Sequence, residues 1–213
     1  MNVLIVLAHP EPKSLNGSLK DLALETLTNM GHEVIVSDLY AMKFNAIMVP
    51  EDFKERADET KFNPIVEQYN AVKTGKTAED VAAEMEKVNW SDLIIFQFPI
   101  WWTSFPAILK GWIDRVFANG FAFDAAEGKM YAEGLLKGKK AVLSFTTGAP
   151  WNLYTSEGPH GDIEVALTSI THNTMEAVGL EVLPLFGIFG PASMEEKELK
   201  KEMERYKAFL ESF

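Results

Sequence analysis

The sequence predicts an α/β fold, a doubly wound five-stranded parallel sheet with helices on both faces, and three observations predict it. Five short runs are apolar almost without a break, as strands buried on both faces must be: VLIVLA (Val3 to Ala8), EVIVSDL (Glu33 to Leu39), DLIIFQFP (Asp92 to Pro99), KAVLSFTT (Lys140 to Thr147) and EVLPLFGIFG (Glu181 to Gly190). Helical patterns alternate with them, the arrangement of strands joined by crossover helices. Finally, 213 residues with 47% apolar and 24% charged content suit one globular domain over residues 1–213, with no repeat or linker.

Each element has its own signal. Between the first two strands, Leu15, Leu19, Leu22 or Ala23, and Leu27 recur at helical spacing, and Gly31 sits where a left-handed residue ends a helix. The long segment 41–90 carries helical patches from Pro64 to Val72 and from Thr77 to Val88, the second with Thr77 as its cap. FPAILKGWIDRVF reads as a helix with Pro106 in its first turn, and Ile163 to Val178 as another before the last strand. From Met194, the residues Leu199, Met203, Tyr206, Leu210 and Phe213 make one face of an amphipathic helix whose other face is Lys and Glu.

Composition excludes several functions. A net charge of −11 without a basic cluster disfavours nucleic acid and anionic membranes. The absence of cysteine removes disulfides, thiolate nucleophiles and Cys-ligated metals, and four histidines leave no metal site to expect. VLIVLA is short for a signal sequence and no apolar stretch spans a bilayer, so the expectation is a cytoplasmic protein without membrane insertion. Neither G-x-G-x-x-G nor G-x-x-x-x-G-K-[ST] occurs, which argues against a dinucleotide Rossmann domain and an NTPase. Without G-x-S-x-G or H-E-x-x-H, a serine or zinc hydrolase has little support. His32 and His172 read as structural or surface residues.

Ligands of open parallel sheets sit beyond the carboxyl ends of the strands, so the loops there are the candidates. After the first strand, HPEPKSLN places Ser14 and Asn16 where a helix begins, with His9 and Lys13 nearby. These groups suit an anion at a helix N-terminus, and Ser14 suits a plain cap equally. After the third strand, Trp101 and Trp102 can line a flat aromatic ligand, or serve as core or interface anchors. After the fourth, Gly148 permits close approach to a ligand, while Tyr154 and His160 are hydrogen-bond donors near neutral pH.

The segments HPEPKSLN, SDLYAMKFN, FQFPIWWTSFPAILKGWIDRVF and TTGAPWNLYTSEGPHGD, in this order over nearly the whole chain, resemble the flavodoxin-like NAD(P)H:quinone oxidoreductases of the DT-diaphorase type. The resemblance implies a homodimer with active sites at the subunit interface. It also implies FAD rather than FMN, and two-electron hydride transfer from NAD(P)H through FAD to a quinone or similar electron-poor acceptor. By the same resemblance His9, Ser14, Leu15 and Asn16 hold the diphosphate and ribityl side. Pro99, Ile100, Trp101, Trp102 and Thr103 line the isoalloxazine, and Thr146, Thr147, Gly148, Ala149 and Tyr154 contact its pyrimidine ring. Tyr154 and His160 carry the catalytic role, and Phe121 and Phe123 form a substrate-pocket wall unless they belong to the core. Trp101 stands where related proteins often carry glutamine, and Ala149 and Pro150 follow Gly148 where a second glycine is usual. A second implied role is that of a flavin-binding ancillary subunit of a membrane transporter.

Overall fold

The computed structural model describes all residues from Met1 to Phe213. Its strands are β1 (Asn2–Leu7), β2 (Glu33–Asp38), β3 (Leu93–Pro99), β4 (Lys140–Thr147), β5 (Glu181–Val182) and β6 (Phe186–Phe189). Its helices are α1 (Leu15–Asn29), α2 (Pro64–Thr74), α3 (Glu79–Trp90), α4 (Ala107–Val116), the short α5 (Ile163–Ala166) and α6 (Thr168–Ile170), and α7 (Glu196–Leu210). All strand pairs are parallel, in the order β2-β1-β3-β4-β5, with β6 following β5 along β4. That order reverses direction between β1 and β3, the switch point at which flavodoxin-like sheets bind their ligands.

Alternation along the strands divides the core. Leu4, Val6, Ile94, Phe96, Phe98 and Leu143 enter the larger cluster with Trp112 and Leu109 of α4. Val3, Ile5, Ile95 and Val142 enter a smaller one with Leu19, Ala23 and Leu27 of α1 and Tyr206 and Leu210 of α7. Helix α1 ends as expected, with Gly31 at φ 86. Its first turn holds a glycine the sequence reading missed: a Cβ on Gly17 would lie 2.1 Å from the Pro12 carbonyl oxygen.

Four expectations need correction. The last strand is two pieces rather than one, because Pro184 between them has no N–H for the ladder. The register changes by one residue across the break, Lys140 opposing Glu181 and Ser144 opposing Phe186. Thr77 is not a cap: α3 starts from Ala78, whose carbonyl accepts from Ala82 at 2.8 Å, and Glu79 and Asp80 supply acidic charge to the first turn. Pro106 precedes α4 as its cap residue instead of lying within it. Ile163 to Val178 is no uniform helix; α5 and α6 pass into a π-helical turn at Thr171–Met175 and a 3₁₀ turn at Glu176–Val178. Threonine hydroxyls compete with the backbone there, Thr171 donating to Leu167 O at 3.2 Å and Thr174 to Ser169 O at 2.8 Å.

Buried charge fixes the long segment between β2 and α3. Arg115 of α4, 4% exposed, pairs with Asp52 and Asp80 and donates to the Asn45 carbonyl at 2.7 Å. Glu84 of α3, fully buried, accepts from Trp112 Nε1 at 2.8 Å and Lys87 Nζ at 2.5 Å, and Lys87 also donates to Ser37 Oγ of β2. Breaking either arrangement strands a buried charge, at a cost of about 3–5 kcal/mol. No helix is long and apolar enough to cross a membrane.

Candidate active site

The loops after β1, β3 and β4 leave the same edge of the sheet, because the three strands are parallel neighbours. The first loop presents donors. Ser14 caps α1 by accepting from the Gly17 N–H at 3.1 Å, so the capping reading holds. The N–H groups of Leu15 and Asn16 still find no acceptor in the chain, which leaves the helix N-terminus able to receive an anion. His9 Nδ1 lies 3.0 Å from the Glu11 N and 3.1 Å from the Glu11 carbonyl oxygen, which anchors the imidazole beside the start of α1. Asn16 is buried, and its amide is spent within the protein: Nδ2 donates to Thr146 Oγ1 and Oδ1 accepts from Gln97 Nε2, both at 2.8 Å.

The second loop begins with Pro99 and Ile100, both buried, and then turns sharply. Trp101 and Ser104 exchange backbone hydrogen bonds of 3.2 and 3.1 Å around Trp102 and Thr103, whose φ values are 51° and 56°. Two successive left-handed residues normally call for Asn and Gly. Here a β-branched threonine and a tryptophan hold the position, at roughly 1–2 kcal/mol each. The turn leaves Trp102 entirely exposed and Trp101 43% exposed. Neither ring is a core anchor.

The third loop supplies the remaining groups. Thr146 and Thr147 are buried, and Thr147 Oγ1 donates to the Ala149 carbonyl at 2.7 Å, which folds the chain back after β4. Ala149 packs against the larger core. A Cβ on Gly148 would meet nothing within 4 Å, so its backbone faces open space. Tyr154 is buried to 8% exposure; its ring lies 4.9 Å from that of exposed His160 and 5.6 Å from Phe189. The His160 N–H donates to the Leu153 carbonyl at 3.0 Å and Ile163 N–H to the Tyr154 carbonyl at 3.2 Å, so backbone bonds hold the pair together. Phe189 in turn meets Trp151 at 4.8 Å, which makes β6 a support for this loop.

Phe121 and Phe123 are half-buried against the larger core. Phe123 also lines a cleft of about 470 Å³ with Met48, Pro64, Phe117, Met130 and Asn173, which includes neither Tyr154 nor His160. Sequence reasoning missed Gln97 and Tyr206, although a glutamine inside the otherwise apolar LIIFQFP was visible.

These residues fit a flavin by their own geometry: unpaired N–H groups at the α1 N-terminus, an open approach over Gly148, exposed indoles, and phenol and imidazole donors side by side. The chain matches a family model described as flavodoxin-like fold over residues 1–210. Human ribosyldihydronicotinamide dehydrogenase [quinone] is 45% identical over 199 residues, 93% of this chain and 85% of that one. Rat NAD(P)H dehydrogenase [quinone] 1 is 44% identical over 181 residues, 84% of this chain and 65% of that one. Among solved structures, a candidate quinone reductase from Klebsiella pneumoniae superposes with a TM-score of 0.96 at 38% identity, covering 100% of this chain and 84% of the other.

Proposed function

The chain belongs to this flavodoxin-like family, and from that premise we propose that it is an NAD(P)H:quinone oxidoreductase. Residues 1–213 act as one flavin-binding domain, with FAD as the cofactor, a quinone-like acceptor and a homodimeric, cytoplasmic enzyme. The observation that carries the reading is the juxtaposition of Tyr154 and His160, 4.9 Å apart, on the same sheet edge as the unpaired N–H groups of α1.

A bound flavin would supply a ring able to accept a hydride from a dihydronicotinamide and pass it on to the acceptor. The chain's part is electrostatic and positional. Tyr154 and His160 offer donors to the ring edge where negative charge gathers, and stabilise it as preorganised donors do. His160, exposed, is placed to pass a proton between the bound ring and water as charge on the ring changes. Trp101 and Trp102 provide flat surfaces for the ring or the nicotinamide, and the α1 N-terminus with Ser14 and His9 meets the diphosphate.

The test is an absorbance spectrum of the purified protein with chromatographic identification of released flavin. Anaerobic NADH, NADPH or reduced nicotinamide riboside is then added, followed by a simple quinone. Protein that releases FAD, bleaches with a donor and recolours with quinone is the expected result. Released FMN would remove the diphosphate role from His9 and Ser14. Slow turnover with a co-purifying membrane partner would favour the ancillary-subunit role, and protein that refuses both flavins would overturn the proposal.

A further inference from the structure

Gln97 is the one polar residue of β3, fully buried between β1 and β4, where an amide costs stability unless its partners are supplied. They are supplied in a directed series. The Tyr206 hydroxyl of α7, buried and therefore held well above the usual phenol pKa, donates to Gln97 Oε1 at 3.4 Å. Ser144 beside it tempers that rise without making a hydrogen bond of sound geometry. Gln97 Nε2 donates to Asn16 Oδ1 at 2.8 Å, and Asn16 Nδ2 donates to Thr146 Oγ1 at 2.8 Å. Every oxygen after the phenol is an acceptor on one side of a group that donates on the other. The series stops at Thr146, 7% exposed, whose hydroxyl hydrogen has no acceptor in the chain.

An amide has two orientations, and only one puts N–H toward Thr146. Were the Asn16 amide reversed, its Oδ1 would face the Thr146 hydroxyl and absorb that hydrogen, and its Nδ2 would meet the Gln97 N–H. While the Tyr206 hydroxyl donates to Gln97 Oε1, Gln97 presents a donor to Asn16 and that reversed arrangement would set two N–H groups against each other. We propose that Gln97 is a positioning residue for the flavin site: by fixing the Asn16 amide it keeps Thr146 from donating inward, so that the hydroxyl at the end of β4 is free to donate to a bound flavin. The inference rests on the flavin reading above. Low local dielectric strengthens such a series cooperatively, and Gln97 makes its side-chain hydrogen bonds to Asn16 and Tyr206, not to Thr146.

The test is a double-mutant cycle on flavin-free protein, read by FAD and FMN dissociation constants and by the midpoint potential of the bound flavin. Thr146→Val removes the terminal donor and is expected to weaken flavin binding roughly fivefold, the size of one net hydrogen bond. Gln97→Leu should weaken it by a similar factor and shift the potential in the same direction. In the Gln97→Leu/Thr146→Val protein the loss should be no greater than in Thr146→Val alone, because the two act through one hydroxyl. Additive losses, or a Gln97→Leu protein with unchanged affinity and potential, would overturn the inference while leaving the flavin reading intact. Failure of the parent protein to bind either flavin would overturn both. If Gln97→Leu does not fold, Gln97→Met takes its place in the cycle, since its side chain keeps the length of glutamine and donates nothing to Asn16.

Discussion

Tyr154 and His160 hold different positions toward solvent although their rings are 4.9 Å apart, one buried against Phe189 and the other exposed. The phenol is thus a donor held inside the protein and the imidazole one that water also reaches. Tyr154→Phe and His160→Ala should each leave flavin bound and slow its reduction, by roughly 10²–10³-fold at most, as loss of one transition-state donor does. Stopped-flow bleaching of the flavin reads this directly, and unchanged rates in both variants would remove the loop from the chemistry. Thr103 allows a second check. At φ 56° its β-branched side chain is strained, so Thr103→Gly should raise the melting temperature by an amount worth about 1 kcal/mol. A faster or slower hydride step in the same variant would show whether the turn's geometry, and not only its indoles, serves the reaction. At this scale the donor-rich loops were legible, because imidazole, phenol and indole are rare in plain turns. The Gln97 series was not legible, since its partners Asn16, Thr146 and Tyr206 come from three other elements and sequence spacing does not place them together.

Among the elements, the buried anchors of the long segment before α3 were the least visible in advance. Glu67 of α2 is 1% exposed and accepts from the Ala57 N–H at 2.7 Å, Arg56 Nε at 2.9 Å and the Asp58 N–H at 3.4 Å, so the 56–58 loop wraps its carboxylate. Burial alone would raise its pKa. The Ala57 N–H, the Arg56 guanidinium and the Asp58 N–H outweigh burial and hold the carboxyl below its ordinary 4.5. A carboxyl depressed in the folded state lends stability that is fully present above the unfolded value and lost as pH falls through the folded one. Asp58, lowered mainly by its hydrogen bond from the Thr60 hydroxyl, acts in the same direction from the surface. Glu67→Gln should therefore cost about 3 kcal/mol at neutral pH, as breaking a buried pair does. Urea unfolding at neutral pH and again below pH 4.5 checks this: the gap between parent and variant should narrow in acid, and a constant gap would mean that charge at Glu67 is not what holds the loop. The strand and helix order was legible because apolar runs and helical spacing report burial. The break at Pro184 and the π-helical turn at Thr171–Met175 were legible only in part, because the proline and the threonines were in view but the hydrogen bonds they displace were not.

For the whole molecule, the question is what covers the apolar side chains that one chain leaves outside its two cores. Ile65 and Val66 in the first turn of α2 are 50% and 45% exposed, Met130 is 41% exposed, and Pro64 and Met130 border the cleft of about 470 Å³ that Phe123 also lines. Exposed apolar groups beside a cleft are the kind of surface that a second chain covers. A second copy of this chain is the occupant that the proposed homodimer requires, and it would close the cleft that a single chain leaves without Tyr154 or His160. A charge placed there meets apolar groups instead of water. Ile65→Glu, on an exposed helix face where the monomer loses no core contact, should leave the melting of the single chain nearly unchanged, within about 0.5 kcal/mol. It should convert a dimer into monomers in sedimentation at micromolar concentration and, on the proposed arrangement with active sites at the subunit interface, lower quinone turnover by raising KM. A variant that stays dimeric with the parent's KM would place the subunit interface on another face and return Phe121 and Phe123 to the core alone. Net charge of −11 adds a salt dependence to the same experiment: added salt should tighten the parent's association by screening the repulsion between two like-charged chains, and do little for the variant, whose loss is of apolar burial.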